Sequence, residues 1–231
     1  MLDDPYDRPV SEASADRAVP IVGLGAGGHV KSVLEAVRSL GRFEVTALAD
    51  DDPALTGSKV LGVPVVGPDA LGELRAAGVA HAFAGVGGVG DSAARERAVG
   101  RLLEAGFELP PIVHRSAVVS PWARVGRGAH VLAGVIVNAD AEIGDDVILN
   151  TGAIVEHDCR IEAHAHVGPG ARLAGAVTVG ERAHVGLGAV VIEGIRIGDG
   201  ALVAAGAVVV RDVPAGARVA GVPAADMRPE D

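Results

Sequence analysis

From Val119 to Val209 every sixth residue is Val, Ile or Leu: Val119, Val125, Val131, Val137, Ile143, Leu149, Val155, Ile161, Val167, Leu173, Val179, Val185, Val191, Ile197, Val203 and Val209. Four places after these anchors the side chain is small or β-branched, as at Ala123, Ala129, Val135, Ala141, Val147, Ala153, Cys159, Ala165 and Ala171. A period of six fits neither an α-helix, at 3.6, nor a simple strand, at 2. It fits a solenoid with flat faces six residues long, three to a coil, whose aliphatic side chains stack in columns inside a triangular prism. Between the anchors recur Gly126, Gly128, Asn138, Gly144, Asp145, Gly180, Gly198 and Asp199. The corners are expected to need unusual backbone angles there.

Composition agrees with a narrow prism. Of 231 residues 49% are hydrophobic and only 2% aromatic, so the interior is built from Val, Ala, Leu and Ile. A formal charge of −10 argues against nucleic-acid or anionic-membrane partners. The single cysteine excludes an internal disulfide and suits a reducing cytoplasm. Met1 to Pro20 is polar and acidic and reads as a disordered tail (residues 1–18) rather than a signal peptide. No apolar run reaches membrane-spanning length.

Ahead of the prism, residues 19–113 alternate strand and helix patterns, which implies a small parallel sheet. Strands are expected at Val19 to Gly23, Glu44 to Ala49, the apolar stretch Val60 to Val66, and His81 to Val86. The prism itself is assigned to residues 114–210, and the Pro- and Gly-rich residues 211–231 to a C-terminal cap. Gly23, Gly25 and Gly28 match G-x-G-x-x-G between a strand and a helix, with Asp50 closing the next strand, as in a dinucleotide fingerprint. Yet the segment is about ninety residues long, roughly half a complete dinucleotide fold, which sets an NAD-dependent oxidoreductase aside. The local physics remains: small residues and a helix N-terminus suit a phosphate. The alternatives are a nucleotide diphosphate of another kind or a tight turn with no ligand.

Most histidines fall in the repeats: His130, His157, His164, His166 and His184. His157 lies in I-L-N-T-G-A-I-V-E-H-D-C, two places after an anchor, and so points away from the stacked interior. Asp158 beside it could bond one ring nitrogen and raise the basicity of the other. Cys159 falls in a small inward slot and reads as core filler. No paired-cysteine or H-x-x-x-H spacing supports a metal.

The chain resembles the hexapeptide-repeat nucleotide-amino-sugar N-acetyltransferases and sialic-acid O-acetyltransferases (the NeuD-type group) over about Ile21 to Ala224. The likeness is carried by G-A-G-G-H-V-K at Gly25 to Lys31, the N-T-G-A-I-V-E-H-D-C run, and G-V-P-A at Gly221 to Ala224. It implies a Rossmann-like α/β domain followed by a left-handed parallel β-helix, assembled as a homotrimer with acetyl-CoA bound between subunits. His157 would be the general base and Asp158 its tuning partner. Asn150, His166, Gly175, Leu187 and Ala205 would bind acetyl-CoA, with the Gly175 N–H facing the oxyanion and Leu187 and Ala205 lining the pantetheine path. Gly27, Gly28 and His29 would cradle the diphosphate of a nucleotide-linked amino sugar, Asp50 and Asp51 its nucleoside, and Gly90 would close that pocket. The chain departs from the usual pattern at Gly90-Asp91-Ser92, at Arg115, and at Ala225-Asp226, where a basic residue is common. Arg211, Arg218 or Arg228 would then meet the 3′-phosphate of CoA.

The resemblance implies an acetyl-CoA-dependent N-acetyltransferase working on an amino sugar, by direct transfer in a ternary complex, in surface-glycan synthesis. The expected acceptor is a 4-amino-deoxysugar. O-acetylation of a sialic acid, and a non-catalytic trimeric nucleotide-sugar scaffold, are the alternative functions; base and sugar stay open.

Overall fold

The computed structural model describes residues 18–227; the expected tail, but for its last residue, and Arg228 lie outside the described residues. The first part runs β1 (Val19–Leu24), α1 (Gly28–Leu40), β2 (Phe43–Ala49), β3 (Lys59–Val60), β4 (Val63–Val66), α2 (Ala70–Ala76), β5 (His81–Ala84) and α3 (Ala93–Glu104). The sheet order is β3-β4-β2-β1-β5, parallel except for the β3–β4 pair. The stretch Val60 to Val66 is therefore a hairpin and not one strand. Leu61 (φ 47°) and Gly62 (φ 85°) form its tip, the pair of positive angles that lets a two-residue loop follow the strand twist.

α1 forms because Val30, Val33, Leu34 and Val37 recur at helical spacing and are all buried. Gly41 (φ 64°) ends it and donates its N–H to the carbonyl of Arg38. The core under α1 is completed from outside the α/β part: Ile112 and Leu132 are packed into it with Ile21, Leu48 and Phe83.

From Ile112 onward the chain winds a left-handed β-helix of two-residue strands in three parallel sheets. Register advances by 18 residues per coil, as in Ile136↔Ile154, Glu142↔Arg160 and Ile148↔His166. The sixfold anchors and the small residues four places on make one continuous core, with only the first two anchors, Val119 and Val125, partly buried. The stack outlasts the sixfold rule. Val213 pairs with Ile197 and Val219 with Val203, both 16 residues on, so the last coil is two residues short. Ala225–Asp226 then folds back antiparallel on Arg218–Ala220.

The corners correct one expectation. Left-handed backbone recurs every six residues from Gly128 to Gly206, and Asp140, Asp146, Asp158, His164, Ala176 and Arg182 adopt it beside the glycines. Gly126, Gly144, Gly180 and Gly198 do not. A Cβ there would come within 2.9 Å of the next coil, so they are glycines for close approach rather than for angle. Of the others expected at such angles, Asn138, Asp145 and Asp199 also lack them.

The three outer faces differ. One carries Ile112, His130, Ile148, His166, His184 and Leu202, and the α/β part covers it, burying His130, Ile148 and His184. A second presents Arg124, Glu142, Arg160, Thr178 and Arg196. The third presents Val118, Ile136, Ile154, Arg172, Val190 and Val208, almost wholly aliphatic, with Val118 64% exposed.

Candidate active site

His157 stands on the corner between the aliphatic and the charged face. Its ring lies over Gly175 of the next coil, where a Cβ would come 2.6 Å from the ring. Asp158, at φ 59°, turns its carboxylate back so that Oδ2 lies 2.7 Å from His157 Nδ1. That hydrogen bond, with the charges of Asp158, Glu156 and Glu193, lifts the imidazole above its ordinary pKa against a smaller opposing effect of desolvation. An Nδ1–H donated to Asp158 leaves Nε2 as the acceptor, facing solvent. Among the described residues the Gly175 N–H beneath the ring donates to no backbone carbonyl.

A cavity of about 550 Å³ lies between the α/β part and the prism, lined by the glycine loop, His29, Asp50, residues 85–89, Asn150 and His166. The glycines of the loop divide by function. A Cβ on Gly23 would meet Leu48 and Phe83 within 2.8 Å, so Gly23 serves packing. Gly25, at φ 106°, is needed for its backbone angle as well as for its closeness to Val86, which a Cβ would meet at 2.8 Å. Gly27 and Gly28 border open space at the start of α1, where no side chain caps the free N–H groups. Asp50 accepts the Ala26 N–H at 2.6 Å and the Asp52 N–H at 2.9 Å, tying the loop to the end of β2.

The adjoining recess, about 320 Å³, is bordered by Asp50, Asp51, Arg97 and Arg101. Asp51 is held there by Arg101 at 2.7 and 2.9 Å. On the prism side, His166 donates Nδ1–H to the Gly88 carbonyl at 2.8 Å and accepts from Asn150 Nδ2 at 3.1 Å. Burial keeps His166 below its ordinary pKa, the Gly88 contact partly opposing it.

The structure thus gathers the expected residues into two groups on different corners. Gly27, Gly28, His29 and Asp50 share a cavity with Asn150 and His166, expected instead at the thioester; Asp51 borders the adjoining recess. Leu187, 59% exposed, and Ala205 lie on the same corner, two and three coils above Thr151, the neighbour of Asn150. His157, Asp158 and Gly175 stand on the other. Gly90 (φ 70°) packs against Leu202 and borders a small pocket with His164, His166 and His184. Cys159 is fully buried, its thiol pushed up to about 11 by desolvation, and donates to the Ala174 carbonyl at 3.2 Å. Among the described residues no three His, Cys, Asp or Glu side chains gather as a metal site. Arg97 and Arg101 escaped the sequence reading, as did Arg95. The last had a signal: it shares the buried stripe of α3 with Ala98, Val99 and Leu102, where a charge needs a reason.

Residues 20–102 match the PglD N-terminal domain family, and residues 140–175 match the bacterial transferase hexapeptide (six repeats) family. Perosamine N-acetyltransferase from Caulobacter crescentus, solved as a histidine-to-asparagine variant with CoA and GDP-perosamine, is 47% identical with a TM-score of 0.85. The match covers 90% of this chain and 97% of that one. The chain belongs to the hexapeptide-repeat nucleotide-amino-sugar acetyltransferases. This acetyltransferase is also similar to the acetyltransferase domain of PglB from Neisseria gonorrhoeae FA1090 in complex with acetyl coenzyme A. There identity is 35%, TM-score 0.82, and coverage 91% of this chain and 100% of that one. WeeI from Acinetobacter baumannii AYE follows at 27% identity and TM-score 0.76, over 90% of this chain and 100% of that one. No curated protein matches it in sequence.

Proposed function

We propose that this acetyltransferase moves the acetyl group of acetyl-CoA onto the amine of a nucleotide-linked amino sugar, with His157 as the general base. The observation that carries the reading is the 2.7 Å His157–Asp158 pair on an open corner of the prism, in a chain 47% identical to an enzyme solved with CoA and GDP-perosamine. The amine attacks the thioester carbonyl, Nε2 of His157 takes the proton, and the Gly175 N–H faces the oxyanion. The C–S bond then breaks and the imidazolium returns the proton to the CoA sulfur, with no acyl-enzyme. Proton transfer of this kind contributes about 10²–10⁴ in rate, and alignment of two large substrates supplies much of the rest. The buried thiol of Cys159, raised to about 11, suits no nucleophile.

Gly27, Gly28 and the N-terminus of α1 hold the diphosphate, and the recess of Asp51, Arg97 and Arg101 takes the nucleoside. Asn150 and His166 border the path of the sugar, while acetyl-CoA lies along the prism past Leu187 and Ala205. The working form is a homotrimer. The aliphatic face of Val118, Ile136, Ile154, Val190 and Val208 runs between the Asn150 corner and the His157 corner. Packing three copies through that face brings the cavity of one to the base of the next, which explains why one chain carries them apart. Among the described residues no helix is long and apolar enough to cross a membrane. Work in the cytoplasm, in surface-glycan synthesis, fits these substrates.

The test is thiol release from acetyl-CoA with GDP-, UDP- and dTDP-linked 4-amino sugars, the GDP-linked ones first. Turnover with one of them is expected. Failure with all, or faster transfer to a sialic-acid hydroxyl, would overturn the N-acetyltransferase reading. Light scattering on the purified protein should give three times the chain mass, and Ile154→Arg should lower mass and turnover together.

A further inference from the structure

The wall of the cavity between the glycine loop and His166 is a segment with few side chains of its own to hold it. Gly85, Gly87 and Gly88 line it and Gly90 follows, so four of six residues bring no side chain to pack, while each surrenders the most backbone freedom on folding. Gly85 is still tied to the sheet, its N–H donating to the Leu24 carbonyl at 2.7 Å, and beyond that two side chains hold the segment. His166, on the prism, grips the Gly88 carbonyl at 2.8 Å. Arg95, on α3, points Nη1 at the carbonyls of Ala84 (3.3 Å) and Val86 (3.1 Å), where β5 ends and the segment begins.

The rest of the guanidinium is fixed to the prism. Nη2 meets Asp146 Oδ1 at 2.6 Å and donates to the Gly128 carbonyl at 3.3 Å, and Nε donates to the Asp146 carbonyl at 3.3 Å. Asp146 in turn takes His164 Nδ1 on its other oxygen at 2.9 Å. Both members of the ion pair are only 2% exposed. A buried pair of this kind is often no more stabilising than apolar side chains of the same volume. Its place is better explained by what it connects: the planar fork reaches three separate segments at once, which a single ammonium cannot do.

We propose that Arg95, braced by Asp146, is a positioning residue for the acceptor: it clamps residues 84–86 to the prism, so that the cavity wall is formed before the nucleotide sugar arrives. The inference rests on the acetyltransferase reading above. Without the clamp, the acceptor itself must order the glycine segment as it binds, and that cost appears as weaker acceptor binding. Acetyl-CoA, running past Leu187 and Ala205, touches none of these residues and is unaffected.

Two variants of the full chain test this. Arg95→Lys keeps a charge for Asp146 and loses the fork. Arg95→Leu combined with Asp146→Leu removes both charges and leaves an apolar contact. Thiol-release kinetics should show the acceptor KM raised about tenfold or more and the acetyl-CoA KM changed less than about twofold. Hydrogen exchange should quicken at Val86–Gly90, with the oligomer mass unchanged. An unaltered acceptor KM in either folded variant, an equal rise in both KM values, or loss of the fold in both variants would overturn the clamp. Wild-type protein that turns over no amino sugar would instead strike the underlying reading. The exchange rates at Val86–Gly90 in the variants would still judge the clamp on their own.

Discussion

The covered face of the prism and its open corner use the same side chain in opposite ways. Beneath the α/β part, His29 stacks on His130 with centroids 5.7 Å apart, and His166 meets His184 edge-on at 4.7 Å. Burial, with Arg95 and His166 nearby, lowers His29 to about 3, and burial with His166 lowers His184 to about 4. His130 is driven well below its ordinary value by burial, then by Arg95 and His29. At the open corner the bond to Asp158 drives His157 the other way. One repeat supplies both settings. A residue just before an anchor looks outward from a strand and takes whatever covers that face, whereas a residue two after an anchor stands on a corner. What lies outside the coil, not the coil, decides whether an imidazole is a neutral packing piece or a base.

The sharpest way to break this contrast is His157→Ala. Turnover should fall by about 10²–10⁴ while the acetyl-CoA KM and the melting temperature hold. Near-normal turnover would remove His157 from the chemistry. Next in size is the effect of pH. The base works only when neutral, and its folded pKa is raised, so kcat/KM should fall as pH drops through a value above 6.5. Asp158→Asn should slow turnover less than His157→Ala and shift that limb to lower pH; a limb that stays put would deny Asp158 its tuning role.

The covered histidines predict a stability effect of the opposite kind. Their folded pKa values are depressed, so on acidification the unfolded chain takes up protons first. Their stabilisation is complete above the ordinary histidine value of 6.5 and is lost as pH falls toward about 4 for His184 and about 3 for His29. Thermal melts should be flat above pH 7 and decline from there to pH 4, and His184→Gln should flatten the decline; a melting temperature constant over that range would contradict the buried neutral state. The smallest expected effect is that of Cys159→Ser, which should leave turnover nearly unchanged. An inactive but folded variant would return the thiol to the mechanism.

Much of the prism is legible in sequence because its rule is local: each anchor repeats six residues on and each contact 18 residues on. The outward stance of His157 follows from the same phase. The covered face does not, since nothing in the period says where an α/β domain will dock. That is why Asn150 and His166 share the glycine-loop cavity against expectation, through a bond between positions 78 apart. Arg95 was hidden for the same reason, its partner Asp146 lying 51 residues away. The short last coil escaped because a loss of two residues breaks the phase while leaving Val213 and Val219 in the core. Glycines misled in a simpler way: Gly126 and Gly144 matter for the space they leave, which composition alone does not separate from the angles they allow.

Leu132 and Ile112 belong to coils of the prism yet are buried in the core beneath α1. The two parts are therefore not detachable modules. Cut at the junction, the front half would be left with a hole under its first helix, at a cost of several kcal/mol by the usual measure of lost large aliphatic side chains. Anyone wishing to graft a new sugar preference onto this scaffold would do better to exchange residues around the cavity than to transplant the whole front half.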